Sequence, residues 1–159
     1  MHPTKHVSAR RAFLVGVVSC VAALTAITAA LAASNMVIRS TNDRSLGATI
    51  LEGPARYTLY VFCVGTQQSR CSGGRSTSFS PLIAHGHLVG AAHSGIKAGK
   101  LGIRKLSGAK RQVTYYGQPL YLFKGDRRPR DTHGEQRRNS NGVWLVVSNS
   151  GRPIPRSGY

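Results

Sequence analysis

Hydrophobic positions in this chain form one long block followed by short runs. Residues 12–33 contain no charged side chain, and Lys5, Arg10 and Arg11 precede them. Beyond residue 33 the apolar positions come in clusters of three to seven, separated by Gly, Ser, Pro and Asn. Residues 57–63 mix aromatic and β-branched side chains and predict a strand. Residues 79–82 close a long polar loop that begins at Gly65. Residues 101–106 and 112–115 flank Ser107-Gly108 and predict a hairpin. Tyr116-Gly117-Gln118-Pro119 then turns the chain into residues 120–123, and residues 143–147 form the last strong strand candidate. Residues 33–46 are mostly polar and read as a linker, and the Gly- and Ala-rich stretch 84–99 favours no element. No segment after residue 33 sustains a 3.6-residue apolar stripe beyond about ten residues. The predicted architecture is mainly β, a small single domain of short antiparallel strands over residues 47–154. An N-terminal export helix precedes it, and a short tail, 155–159, follows.

The strand candidates echo one another. Leu59-Tyr60-Val61-Phe62 returns as Leu120-Tyr121-Leu122-Phe123, and each copy leads through a polar loop to a bulky aromatic, Phe79 and then Trp144. Such self-similarity predicts two related β units that bury each other's apolar faces.

The N-terminal block has the order of an export signal. A basic n-region, an apolar core and Ala30-Leu31-Ala32 as an A-x-A cleavage site define residues 1–32 as a signal peptide. Arg10-Arg11 with Phe13 and Leu14 behind them also resembles a twin-arginine signal. Two other readings stay open. The uncharged run of 22 residues, uncleaved, is long enough to anchor the chain in a bilayer. Val17-Val18-Ser19-Cys20 fits a loose lipobox, which would make Cys20 a lipidated N-terminus. Each of the three places the domain outside the cytoplasmic membrane.

Residues 112–126 run Gln112-Val113-Thr114-Tyr115-Tyr116-Gly117-Gln118-Pro119-Leu120-Tyr121-Leu122-Phe123-Lys124-Gly125-Asp126 and continue through Asp131-Thr132-His133-Gly134 to Trp144. This stretch resembles a family of bacterial secreted repeat proteins, described as predicted lipoproteins with a Yx(FWY)xxD motif. The resemblance spans roughly residues 47–154 and implies an exported, envelope-associated domain without a settled activity. The first copy departs from the motif, with Gly65 where it wants Asp. It departs again at Arg75, which stands where the family carries the second cysteine of a short pair. Cys63 and Cys71 are then the cysteines of the mature chain, an even pair in an oxidising compartment. They are a candidate disulfide, with two unpaired thiols as the alternative.

The motif residues Tyr60, Phe62, Tyr115, Tyr121, Phe123, Asp126 and Trp144 admit a structural and a ligand-binding role. The structural one has the aromatics filling a two-faced sheet and Asp126 capping the turn that follows it. His85, His87 and His93 are the one histidine cluster, and two imidazoles two apart on a strand share a face. They define an alternative function, an envelope protein carrying a metal or another cofactor.

Charge decides between function classes. The chain holds 22 Lys and Arg against 5 Asp and Glu, with only 17% of its residues charged and 41% hydrophobic, which excludes a disordered polycation. The positives gather in two segments. Lys97, Lys100, Arg104, Lys105, Lys110 and Arg111 make the first, and Lys124, Arg127, Arg128, Arg130, Arg137 and Arg138 the second. Such density attracts anionic polymers, and no nucleic-acid recognition motif accompanies it. Outside the membrane the expected partners are anionic envelope polymers or lipid head groups. No nucleophile elbow, zinc-protease helix, phosphate-binding loop or dinucleotide turn is present, so a non-catalytic structural or binding domain is the expected function.

Overall fold

The computed structural model describes residues 34–64 and 71–154. The export segment with Cys20, the motif position Gly65 and the tail 155–159 lie outside the described residues. Those described are mainly β. In chain order the strands are β1 (Asn35–Asp43), β2 (Ala48–Glu52), β3 (Tyr60–Cys63), β4 (Phe79–Pro81), β5 (His87–Gly90) and β6 (Leu101–Lys105). They continue with β7 (Arg111–Tyr115), β8 (Gln118–Pro119), β9 (Tyr121–Phe123), β10 (Arg138–Asn139) and β11 (Gly142–Val146). Among the described residues no helix is long and apolar enough to cross a membrane.

Three sheets result, ordered β2-β1-β5, β10-β11-β3-β9-β4 and β6-β7-β8. The hairpin predicted around Ser107-Gly108 is β6–β7, registered Leu101↔Tyr115 to Lys105↔Arg111. Residues 33–46 are not a linker, because β1 occupies most of them. It pairs antiparallel with β2 and parallel with β5, and it buries Met36 and Ile38. Only a short apolar run marks this strand in the sequence; pairing on both sides makes it central. The domain therefore begins before residue 47. The stretch 84–99 likewise acquires β5, whose hydrogen-bonding partner β1 lies some fifty residues earlier.

The five-stranded sheet is built from the two echoing units, and each completes the other. β3 meets β9 at Tyr60↔Tyr121. β4 follows β3 in the chain yet pairs with β9, placing Phe79 opposite Phe123. β11 follows β9 yet pairs with β3, placing Trp144 opposite Phe62. The relation is close to two-fold about the β3–β9 contact. Tyr60 meets Phe79 edge-on with ring planes at 79°, and Tyr121 meets Trp144 at 79° as well. Phe79 and Trp144 stack on each other at 3.9 Å.

Side-chain alternation gives this sheet two chemically different faces. Leu59, Val61, Cys63, Val143, Leu145 and Val147 join an aliphatic core that also takes in Met36 and Ile38 of β1, Leu51 of β2 and Val113 of β7. Tyr60, Phe62, Phe79, Tyr121, Phe123 and Trp144 form an aromatic core on the other face. Loop segments cover the aromatic face at close range. A Cβ at Gly134 would stand 2.8 Å from Tyr60 Cζ, and one at Gly74 would stand 2.5 Å from Phe62 Cγ. Only glycine permits this approach.

Candidate functional site

Of the motif residues, Tyr60, Phe62, Tyr121, Phe123 and Trp144 converge at the covered aromatic face with Asp126 bonded to Tyr60, whereas Tyr115 packs in the aliphatic core. The Tyr60 hydroxyl donates to Asp126 Oδ2 at 2.7 Å and accepts the Gly134 N–H at 3.3 Å. Asp126 Oδ1 accepts the His133 N–H at 3.0 Å. Asp126 thus does not cap the turn immediately after it, as expected from sequence; it joins the second unit's loop to the first unit's tyrosine. That following turn is held by Asp131, whose Oδ2 accepts the N–H groups of Arg127 and Arg128, each at 2.9 Å. Burial pushes the Asp126 carboxyl above the usual range, against the lowering effect of its Tyr60 and His133 bonds. Burial, the bond to Asp126 and that carboxylate's charge all push the Tyr60 phenol up. The two backbone N–H donors hold the half-buried Asp131 carboxyl below its ordinary value.

The other half of the pseudo-symmetric pair differs. The Tyr121 hydroxyl accepts the Gly74 N–H at 3.3 Å, as Tyr60 accepts that of Gly134. Beside it stands a guanidinium instead of a carboxylate, with Arg104 Nη2 at 3.5 Å and Arg104 Nε on Gln112 Oε1 at 2.9 Å. Gln112 is fully buried and donates to the Leu120 carbonyl at 2.7 Å. Tyr115 is buried too; its hydroxyl donates to the Asn149 carbonyl and accepts the Lys97 N–H, and burial pushes its phenol up. Cys63 and Cys71 form a disulfide that ties β3 to the segment after it.

The basic residues separate into engaged and free groups. Glu52, fully buried at the end of β2, takes Arg130 Nε at 3.2 Å and Arg56 Nε at 3.3 Å. Arg130 is thereby withdrawn from the cations available to a ligand, and the second basic loop is anchored to the β2 end. Nothing in the sequence pattern marked Glu52, because both partners follow it in the chain at very different separations, Arg56 four residues on and Arg130 seventy-eight. Arg104, half-buried, is also engaged. Lys97, Lys100, Lys105, Lys110 and Arg111 are exposed in the first segment, and Lys124, Arg127, Arg128, Arg137 and Arg138 in the second. None of these ten forms an ion pair with a carboxylate among the described residues. Lys100 lies over the Tyr116 ring at 5.6 Å and Arg137 over Phe123 at 4.8 Å.

The acidic side chains are committed internally. Asp43 holds the β1–β2 turn through Ser45 and Leu46, Glu52 holds two arginines, and Glu135 Oε2 accepts the Val146 N–H at 2.6 Å. A shallow cleft of about 240 Å³ beside Asp126 is lined by Tyr57, Leu122, Phe123 and Lys124. The histidines do not assemble a metal site: His85, His87 and His93 are all exposed, and no group of three potential ligands converges among the described residues. The expected shared face fails because β5 begins only at His87 and Gly86 takes a left-handed φ of 63°, breaking the alternation between His85 and His87.

Residues 107–148 match the model of a family described as a secreted repeat of unknown function. The matched stretch contains β7 to β11, the Tyr121–Asp126 motif and the whole second basic segment. No curated protein matches the chain, and no solved structure does.

Proposed function

We propose that this chain is an exported, non-catalytic cell-envelope domain that binds an anionic envelope polymer through its two exposed basic segments. The observation that carries the reading is the division of charge. The carboxylates hold turns, arginines and strand N–H groups, while ten basic side chains stand exposed without a carboxylate partner among the described residues. An unneutralised positive field of this kind attracts polyanions and is screened by salt. The secreted-repeat match over residues 107–148 supports an extracytoplasmic setting, where envelope polymers are the abundant polyanions. The non-catalytic part of the reading is supported by Asp126, the motif's carboxylate. It is buried and already accepts two hydrogen bonds, which suits it to architecture rather than to proton transfer.

The test is retention on phosphocellulose over a salt gradient. Arg127, Arg128, Arg137 and Arg138 changed together to Gln should move elution to much lower salt. Unchanged elution by a folded quadruple variant would remove the binding assignment.

A further inference from the structure

We infer that a pocket between the 76–78 turn and β10 is a binding site for a phosphate group. The inference rests on the polyanion-binding reading and narrows it to phosphate-bearing partners. The pocket encloses about 240 Å³. A water molecule's share of liquid is about 30 Å³, so there is room for a phosphate and its first substituent. It is lined by Arg137, Arg138 and Asn139, by Ser76 and Ser78, and by the stacked Phe79 and Trp144.

Its chemistry is biased towards donors by the local backbone. Ser76 Oγ accepts the N–H groups of Ser78 and Phe79 at 3.0 and 3.3 Å, which leaves its hydroxyl proton for a ligand. Asn139 Oδ1 accepts the Asn141 N–H at 2.9 Å, which leaves its amide hydrogens. Arg137 is held by its Nε bond to the His133 carbonyl at 2.9 Å and by Phe123 beneath it, with both Nη groups remaining. The Arg138 guanidinium forms no hydrogen bond or ion pair among the described residues, and no acidic side chain lines the pocket. A neutral sugar needs acceptors as well as donors, which this lining supplies poorly. A phosphodiester is acceptor-only at neutral pH and presents several oxygens to two guanidinium forks.

Trp144 is the chain's single tryptophan, so its indole N–H resonance reports on the pocket directly. The full chain is titrated with sn-glycerol 3-phosphate while that resonance is followed. We expect a saturable shift, weakened about tenfold by Arg138→Gln and by Asn139→Asp. Asn139→Asp keeps the oxygen that accepts from Asn141 but turns a donor into a negative acceptor. Arg111→Gln, which removes the same charge in the other basic segment, should leave the shift unaltered. Absence of saturation, or an equal shift in Asn139→Asp, overturns the pocket even if phosphocellulose retention survives. Conversely, an Asn139-dependent shift alongside unchanged retention of the quadruple arginine variant keeps the pocket and removes the polymer reading. Competition separates the phosphate sources. Displacement of the probe by soluble poly(glycerol phosphate) assigns a polymer, displacement only by phosphatidylglycerol vesicles assigns a lipid head group, and displacement by neither overturns the site.

Discussion

The hydroxyl of Tyr60, in the first β unit, donates at 2.7 Å to the carboxylate of Asp126, in the second. Both groups are buried, and the bond runs between the tyrosine of one motif copy and the aspartate of the other. The repeat motif is therefore an inter-unit clasp: its tyrosine and aspartate serve different copies. With Gly65 at the aspartate position of the first copy, Tyr121 has no motif carboxylate to bond, and the Arg104 guanidinium stands beside it.

Tyr60→Phe leaves a buried carboxylate short of one donor, and Asp126→Asn weakens a charge-assisted bond. Each should lower stability by about 1–3 kcal/mol. The double variant should lose clearly less than the two losses added, because both substitutions act on one shared interaction. Urea denaturation of the four proteins checks this, and strict additivity would refute direct coupling.

Acid titration should move the two aspartates in opposite directions. Asp126 is raised in the folded state, so the folded chain binds its proton more readily than the unfolded chain. Its contribution therefore improves as pH falls from the raised value to the ordinary carboxylate range, and wild type should gain on Asp126→Asn across that window. Asp131 is lowered, so its contribution is complete above the ordinary range and disappears as pH falls through the lowered value. Wild type should lose its advantage over Asp131→Asn there. Denaturation midpoints at several pH values, taken as differences from each variant, separate the two.

Gly134→Ala places a methyl 2.8 Å from Tyr60 Cζ and 2.9 Å from Phe123 Cβ. The overpacking should cost about 1–3 kcal/mol. Gly99→Ala is the control, since a Cβ there meets nothing within 4 Å. It should leave the thermal midpoint unchanged or slightly raised.

Replacing both Cys63 and Cys71 by Ala should destabilise the domain by about 2–3 kcal/mol through freer chain ends in the unfolded state. Denaturation of the oxidised wild type against the double variant measures it, and equal midpoints would mean that the short loop constrains little.

Much of the β architecture was written locally. Alternating aromatic and aliphatic positions in residues 57–63, 120–123 and 143–147 determined β3, β9 and β11, because a strand's two faces follow from a period of two within a few residues. The β6–β7 hairpin was equally legible, its turn residues lying between its own strands. Charge imbalance and the Tyr-x-Phe-x-x-Asp pattern of residues 121–126 were likewise plain. Tertiary structure alone decided the rest. β1 has only Met36, Val37 and Ile38 as its apolar run, and it became a central strand through partners on both sides. The exchange of β4 and β11 between units, the pairing of Asp126 with Tyr60, and the capture of Arg130 by Glu52 all join residues far apart in the chain. Such choices depend on which surfaces meet once the sheet closes, and local patterns carry no record of that.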